Sequence, residues 1–423
     1  MAAHTVQVNV SQLKIGMYVA ALDRPWLGTP FLFQGFRVRT VEEIQSLRTY
    51  CESVHIDTEK STYGGCAAGG PGPPAPAPQP PRVYKMSASF EQEIKTANEI
   101  RAVTRGFLDE LFDDVVRGNV IDLARVKHVV HDTVEGVLRN PDAHVCLTQL
   151  KTRDDYTAQH SLNVCVLSLT FARHLGLSPS EMQALGVGAL LHDIGKLRTP
   201  QDILNKPGKL TPKEFDIIRA HPVDGHRLLE RRYGLPPRVA DTAFAHHERV
   251  GGGGYPRGLK GEEIPLWGKM VAIVDVYDAI TSDRSYHQGI SPTEALTKMY
   301  GWRLTDFDPE LLGGFIQCLG IYPVGTLVEL ASGEVGFIIS ANPEARLRPR
   351  VNLLLDAQKR LLYPQRIVNL AELGTDHDAR SSTIARVLAP GEYGIDVKEH
   401  LAPIQQAQAK GTLGAKGSRR AAA

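Results

Sequence analysis

A run of proline and glycine residues interrupts this chain after residue 63. It reads GGCAAGGPGPPAPAPQPPR over residues 64–82, with seven prolines and five glycines in 19 residues. Proline lacks a backbone N–H and glycine is conformationally loose, so such a run builds neither a helix interior nor a central strand. We interpret residues 64–85 as a semi-extended linker. The 423 residues are therefore expected to form separate domains on its two sides.

The residues before the linker, 1–63, show the pattern of a small α+β module. Apolar and polar residues alternate in VQVNVSQLKIGMYVAAL, which predicts strands with a turn near Gly16. The segment VEEIQSLRTYC has helical spacing that puts Val41, Ile44 and Leu47 on one face, and SVHIDT is typical of a strand.

Beyond the linker, residues 86–320 are dominated by helical patterns. Amphipathic or buried segments such as IDLARVKHVVHDTVEGVLRN and GKMVAIVDVYDAITS alternate with Gly, Pro, Ser and Asp. Residues 321–373 are expected to form a small β appendage with a hairpin around Ser332–Gly333. Residues 374–423, rich in Gly, Ala and charge, are expected to be a flexible tail. The predicted fold class is mainly α.

The charge balance and the cysteine pattern do not favour a nucleic-acid-binding, membrane-bound or disulfide-rich protein. The chain has 48 Lys plus Arg against 47 Asp plus Glu, so nothing global favours nucleic acid or an anionic membrane as a partner. Its five cysteines are scattered without a C-x-x-C pair, which is typical of reduced thiols. The apolar stretch Ser161–Ala172 is too short to span a bilayer, and the first residues lack a signal-peptide pattern. We expect a cytoplasmic protein that is not membrane-bound.

Within the helical region, His192 and Asp193 are adjacent in the apolar segment ALLHDIGKL. Burial of an unpaired carboxylate is unfavourable unless a hydrogen bond or a metal ion compensates it. Taken alone, the pair fits a hydrogen-bonded polar pair in a core as well as it fits a functional site.

Further histidines and an aspartate follow in order around this pair. Successive members lie 25 to 32 residues apart, about the length of one helix with its loop and return helix. Each can therefore reach one centre from a successive hairpin. Imidazole and carboxylate are ligands of Zn, Fe, Mn and Ni. Their number exceeds the needs of one tetrahedral ion and indicates at least two metals with a bridging carboxylate. The members are His160, His192, Asp193, His221, His246, His247 and Asp275.

The ordered string H…HDxGK…H…HH…D resembles that of the HD superfamily of metal-dependent phosphohydrolases. The elements LHDIGKLRTPQDILNKPGKLTPKEF, AHPVDGHRLL, HHERVGGGGYPRGLKGEEIP and IVDVYDAITSDRSY are similar to those of its HD-GYP subfamily. This resemblance covers about residues 150–320. Residues 5–60 are similar to an uncharacterised α+β domain that often precedes HD-GYP domains, and the β segment after residue 321 resembles a common tail of such proteins.

The resemblance implies an all-α HD-type catalytic domain that hydrolyses cyclic di-GMP. The implied product is the linear dinucleotide pGpG, with further hydrolysis to GMP left open, and a GGDEF-domain protein is an implied candidate partner. The implied cofactors are two divalent metal ions, most often Fe or Mn, and a metal-bound hydroxide attacks phosphorus in line. By motif, one ion would be held by His160, His192, Asp193 and Asp275, and the other by Asp193, His221, His246 and His247.

Other motif positions are expected to contact substrate. Lys196 follows the bridging aspartate by three residues and would stabilise the phosphate or protonate the leaving oxygen; otherwise it is an exposed lysine near a helix end. The loop Gly254–Tyr255–Pro256 would approach the ligand with its backbone, and Arg284 would contact a phosphate. Asp278 is interpreted as a hydrogen-bond acceptor near the ligands and not as a ligand itself.

Two positions depart from the family pattern. Some members bind a third metal through a Glu one helical turn before the first His; Tyr156 stands there, with Asp155 beside it, so two ions are expected. The usual HHERxDGxGYP has an acid where this chain has Gly251, which leaves every proposed metal ligand in place.

Two alternatives stay open. One is an HD phosphohydrolase that acts on another nucleotide, although simple HD nucleotidases lack the GYP loop and SDRSY. The other is a receptor or adaptor that binds cyclic di-GMP, or a GGDEF partner, without turnover. The sequence does not determine the metal, the sensory input or the oligomeric state.

Overall fold

The chain folds into two compact units, residues 1–80 and 81–423. The computed structural model describes residues 5–23, 36–38, 41–58, 61, 82–149, 156–204, 206, 208–282, 289–342, 345–373, 383–397 and 399–401. Most of the proposed linker, residues 64–81, therefore lies outside the described residues, and each unit is considered by itself.

The N-terminal unit is a four-stranded antiparallel sheet with one helix. Its core includes Val19, Leu47 and Val54, all fully buried. The predicted helix is present; Ile44 and Leu47 of its predicted face are buried, whereas Val41, the first residue of the helix, is 53% exposed. The sheet order is β1-β4-β2-β3. The elements are β1 (Thr5–Asn9), β2 (Tyr18–Leu22), β3 (Phe36–Arg37), α1 (Val41–Tyr50) and β4 (Ser53–Asp57).

The second unit is built mainly of helices, as the sequence patterns predict. Side chains at the first helical turns satisfy free backbone N–H groups, for example Ser89, Ser178 and Thr211 in capping boxes. The helices are α2 (Phe90–Val116), α3 (Leu123–Arg139), α4 (Pro141–Thr148), α5 (Tyr156–His174), α6 (Pro179–Leu190), α7 (Gln201–Leu204), α8 (Pro212–Arg219), α9 (His221–Arg227), α10 (Pro237–Ala245), α11 (Leu266–Thr281), α12 (Pro292–Gly301) and α13 (Pro309–Leu319).

Two of these helices, α5 and α11, lie almost entirely in the interior. Each is apolar over most of its surface, which is typical of a helix surrounded by other helices. Helix α5 packs against α6 and α11, and α10 packs against α6, α9 and α11. No helix among the described residues combines the length and the apolar character that crossing a bilayer requires.

A five-stranded antiparallel sheet in the order β8-β7-β6-β5-β9 follows the helices. Its first hairpin turns around Ser332–Gly333 as predicted, with Gly333 at a φ of 87° that favours glycine. The predicted end of the β segment at residue 373 is wrong, because β9 pairs with β5. Local sequence does not reveal this edge strand, since it is only four residues long. The strands are β5 (Leu327–Leu330), β6 (Val335–Ser340), β7 (Arg350–Leu355), β8 (Leu361–Asn369) and β9 (Ile384–Val387).

Polar contacts attach this sheet to the helices. The Ser340 hydroxyl donates to Asp142 Oδ2 at 2.6 Å, and Arg350 donates to Glu91 Oε1 at 2.7 Å. Burial raises the pKa of Asp142 to about 6, although the Ser340 hydrogen bond favours its charged form. The sheet and the helices of residues 81–423 therefore form one body.

We predict that a chain beginning at residue 83 folds without the N-terminal unit. The helical body has its own core, and the break in sequence falls in a proline-rich run. Circular dichroism and calorimetry should give a helical protein with one cooperative unfolding transition. Insoluble or molten protein from several start points between residues 80 and 90 would contradict this boundary.

Candidate metal centre

Helix ends and helix interiors both contribute to one buried centre. His160 lies in α5 and Asp275 in α11, both within the helix. The apolar segment ALLHDIGKL predicts a buried helix, but His192 and Asp193 follow the end of α6 and precede a 3-10 segment, Ile194–Arg198. At Gly195, within that segment, an added Cβ would lie 2.0 Å from the His221 carbonyl oxygen. The turn after α6 thus contacts the start of α9.

The structure brings all seven sequence-predicted ligands into two adjacent groups. Within each group, one ligand atom per residue lies within 4.8 Å of all the others. All but His247 are at least nine-tenths buried, and His247 is partly buried. Either group therefore has the donor set of a site for a divalent metal ion. The groups are His160, His192 and Asp275, and Asp193, His221, His246 and His247.

The carboxylate of Asp193 faces both groups, one oxygen toward each. Its Oδ2 lies 3.4 Å from His192 Nε2 and 3.6 Å from His160 Nε2. Its Oδ1 lies 3.2 Å from His221 Nε2 and 3.5 Å from His246 Nε2. This is the arrangement of a carboxylate that bridges two ions.

The orientation of three imidazoles is set by the C-terminal end of the helix that precedes each of them. The Nδ1–H groups of His192, His221 and His246 donate to the carbonyl oxygens three residues earlier, at 2.7–2.8 Å. The last carbonyls of a helix have no intrahelical partner, so a histidine just past the end can satisfy one. Because carbonyls only accept, the proton is on Nδ1 and each Nε2 presents a lone pair to the centre.

Those lone pairs converge without protons between them. His221 Nε2 and His246 Nε2 are 3.3 Å apart, and buried His192 Nε2 and Asp193 Oδ1 have no hydrogen-bond partner in the described part of the chain. Facing lone pairs in a buried site are unfavourable, and a cation between them removes the repulsion. The residues therefore fit divalent metal ions.

Electrostatics favour the metal-binding protonation states of His246, His247 and Asp193. Burial lowers the pKa of His246 to about 4, and burial together with the neighbouring His246 holds the pKa of His247 well below its usual range. Burial opposes ionisation of Asp193, but Lys196 and the imidazoles outweigh it and hold the pKa of that carboxyl well below its usual range. Neutral imidazoles and an ionised carboxylate are the forms that bind metal.

His160 differs from the other imidazoles because its acceptor is a side chain. Its Nδ1–H donates to Asp278 Oδ2 at 2.8 Å, while its Nε2 lies 3.1 Å from Asp275 Oδ1. Asp278 thus accepts a hydrogen bond from a ligand and is not a ligand itself, which agrees with the interpretation from the sequence.

The GYP loop folds around a carboxylate that sequence reasoning missed. Buried Glu248 accepts from Arg257 N at 2.8 Å and from Leu259 N at 2.9 Å. The ring of Tyr255 stacks on His247 with centroids 4.6 Å apart, so the loop covers one imidazole of the centre. The sequence feature that could have pointed to Glu248 is its place, as an acid directly after the histidine pair and before the glycine run.

Two glycines of this loop have no room for a side chain. A Cβ at Gly254 would lie 2.3 Å from Arg249 N, and a Cβ at Gly251 would lie 2.8 Å from Thr305 O. The N–H of Gly251 also donates to that carbonyl at 2.8 Å. Gly251, which stands where the family pattern has an acid, therefore lets the loop pack closely on Thr305.

Of the expected substrate contacts, Lys196 is at the centre. Its Nζ donates to Asp193 Oδ2 at 2.5 Å, and its side chain is 23% exposed. Arg284, Asp155 and the side chain of Tyr156 lie outside the described residues, so their predicted roles stay predictions.

Comparison with known proteins agrees with this geometry. The HD domain model matches residues 144–311, a domain of unknown function (DUF3391) matches 5–126, and a KOW domain associated with HD domain matches 327–394. A cyclic di-GMP phosphodiesterase of Pseudomonas aeruginosa is 38% identical over 87% of this chain and 89% of its own length.

Two further relatives match a smaller part of the chain. The cyclic di-GMP phosphodiesterase response regulator RpfG of Xanthomonas campestris is 41% identical over 34% of this chain and 39% of its own. The 3'3'-cGAMP-specific phosphodiesterase 1 of Vibrio cholerae is 42% identical over 35% of this chain and 34% of its own. The fold and the site define an HD-domain phosphodiesterase. The chain belongs to the HD-GYP family.

We predict that Glu248→Gln destabilises the GYP loop. One amide end of glutamine is a donor and would face a backbone N–H, so a buried donor loses its partner at a cost of about 1–3 kcal/mol. Denaturant unfolding should report this loss, and hydrogen exchange at Arg257 and Leu259 should accelerate.

The matched control is Glu99→Gln, whose side chain is 65% exposed on α2 and which should change neither quantity. Unchanged exchange at both loop amides in Glu248→Gln would show that the carboxylate does not hold the loop.

Proposed function

We propose that this protein is a metal-dependent phosphodiesterase that hydrolyses cyclic di-GMP to pGpG. The observation that supports it most is the Asp193 carboxylate, which faces one imidazole group with each oxygen. The relative that matches almost the whole chain carries the name of a cyclic di-GMP phosphodiesterase. The KOW and DUF3391 matches flank the HD domain on either side and leave its donor set intact.

In this proposal the seven donors hold two divalent ions, Fe or Mn, with Asp193 common to both. When bound, such ions supply positive charge for a phosphodiester and acidify a water for attack on phosphorus. The first set would be His160, His192, Asp193 and Asp275, and the second Asp193, His221, His246 and His247.

The protein's own groups orient these donors and the substrate. The Nδ1–H bonds keep each Nε2 aimed at the centre. Lys196 Nζ, beside Asp193, is placed to donate a proton or a hydrogen bond to a phosphate oxygen. Tyr255, stacked on His247, would form one wall of the substrate site, and the guanidinium carbon of Arg219 lies over its ring, 4.7 Å from the ring centroid.

A receptor that binds cyclic di-GMP without turnover is the second candidate. It draws support from the departure at Gly251, which alters the loop that contacts substrate. The complete donor set in both groups favours the enzyme, because binding alone does not require two adjacent metal sites. A 3'3'-cGAMP substrate is a variant of the enzyme proposal, since a relative named as a 3'3'-cGAMP-specific phosphodiesterase is 42% identical over 35% of this chain.

Further expectations from the sequence stay predictions. They concern hydrolysis beyond pGpG, the choice of Fe or Mn, a GGDEF-domain partner, the substrate contact by Arg284 and a cytoplasmic location.

We predict that wild-type protein loaded anaerobically with Fe2+ or Mn2+ releases pGpG from cyclic di-GMP, and that Asp193→Ala does not. A carboxylate common to both groups serves both ions, so its loss should deplete both metals and abolish turnover. Chromatography of the products and metal analysis of the same samples measure this, with 3'3'-cGAMP assayed in parallel.

Wild-type protein that carries two ions and binds cyclic di-GMP tightly, yet never releases a linear product, would favour the receptor. Full metal content in Asp193→Ala would contradict the bridging role. Faster hydrolysis of 3'3'-cGAMP than of cyclic di-GMP would reassign the substrate but not the chemistry.

We predict that Lys196→Met lowers kcat by roughly 10²-fold or more while the metal content stays near wild type, since the lost group stabilises charge or moves a proton. The matched control is Lys206→Met, in which a lysine paired with Glu214 is removed. Loss of metal in Lys196→Met, with kcat per bound metal unchanged, would instead assign Lys196 a structural role.

A further inference from the structure

Behind His160, a chain of buried hydrogen bonds leads away from the metal centre. The other three oriented imidazoles use a carbonyl at the end of the preceding helix. His160 lies in the first turns of α5, where the preceding carbonyls accept the helix's own N–H groups. Its Nδ1–H therefore needs an acceptor from elsewhere, and Asp278 of α11 provides it.

The second oxygen of Asp278 is also occupied. Asn163 Nδ2 donates to Asp278 Oδ1 at 3.0 Å, and both side chains are almost fully buried. The carboxylate is thereby held from both sides, by an imidazole on one oxygen and by an amide on the other. A carboxylate fixed in this way sets the ring orientation and basicity of the histidine that it accepts from.

The oxygen of the Asn163 amide is held by an arginine. Arg101 Nη1 donates to Asn163 Oδ1 at 3.0 Å. A guanidinium only donates and an ionised carboxylate only accepts, so a single amide orientation satisfies Arg101 and Asp278 together. Asn163 Nδ2 also donates to the Thr148 carbonyl oxygen at 3.4 Å. Without the guanidinium, the amide keeps these two acceptors but loses the contact that holds its oxygen, so its position against Asp278 is less firmly fixed.

Arg101 lies outside the HD domain match. It belongs to α2, within the segment 5–126 that matches the domain of unknown function, while Asn163 and Asp278 lie in the HD match 144–311. Burial lowers the pKa of Arg101 to about 10, with the charge of Asp278 opposing the change, so the group stays a cation at neutral pH.

We propose that Arg101 is a positioning residue for the His160 metal site. Through Asn163 and Asp278 it holds the His160 imidazole in its ligand orientation and so sets the affinity of that site for its ion. The inference rests on the proposed function in one respect, because it assumes that the two donor groups bind metal ions.

The test measures Mn2+ binding to the full chain without substrate, by calorimetry with a competing chelator. Hydrogen-bond partners of metal ligands change metal affinity by about 10- to 100-fold, and Arg101 acts two side chains further out, so Arg101→Met should weaken one of two Mn2+ sites by roughly 10-fold. The second site, at His221, His246 and His247, should keep its affinity and serves as an internal control.

Three variants separate positioning from a general structural role. Lys95→Met, at a 71% exposed lysine of the same helix, should change neither site. Arg101→Lys keeps a donor and should recover part of the loss; it also replaces Arg101→Met should that protein fail to fold. Arg101→Met combined with Asn163→Ala should be no weaker in Mn2+ affinity than Asn163→Ala alone, because the two act in series.

Equal weakening of both Mn2+ sites, additive effects of the Arg101 and Asn163 changes, or wild-type affinity in Arg101→Met would each overturn the proposal. Wild-type protein that binds no Mn2+ would overturn it together with the proposed function. Wild-type protein that binds two ions but leaves cyclic di-GMP intact would overturn the proposed activity alone, since the binding test uses no substrate.

Discussion

The Asp193 carboxylate faces two groups of imidazoles, and the geometry of the centre depends on it. The ends of α6, α8 and α10 lie next to the histidines of the centre, and the C-terminus of a helix carries partial negative charge. The ionised carboxylates of Asp193 and Asp275 add negative charge, which Lys196 offsets in part. A negative centre closed off from water requires cations, and the two donor groups are arranged to hold them.

The helix ends also fix the orientation of three histidine rings. Each unpaired carbonyl at a helix C-terminus accepts the Nδ1–H of a histidine just beyond it, so one hydrogen bond both completes the helix and aims the opposite nitrogen. His160 lacks this possibility because it lies near the start of its helix. Its site therefore depends on a longer series of side chains, which ends at Arg101 on α2.

The loop over the centre is held in a different way. Glu248 follows the histidine pair directly and accepts two backbone N–H groups of the loop, while glycines at the points of closest approach let the backbone pass. This carboxylate links the position of Tyr255 to the helix end that carries His246 and His247. Loop and metal donors are thus parts of one local structure.

The sequence by itself determined the elements and the donor types. Hydrophobic periodicity predicts the helices, and the ordered spacing of His and Asp predicts a metal centre, because both are local properties of the chain. Only the tertiary structure decided which atoms meet. His160 and Asp278 are 118 residues apart, and Arg101 and Asn163 are 62 apart, so no local pattern pairs them. Three further features could not be predicted for the same reason. The close approach at Gly195, the backbone groups bound by Glu248 and the pairing of β9 with β5 each join segments whose contact is decided by packing and not by local sequence.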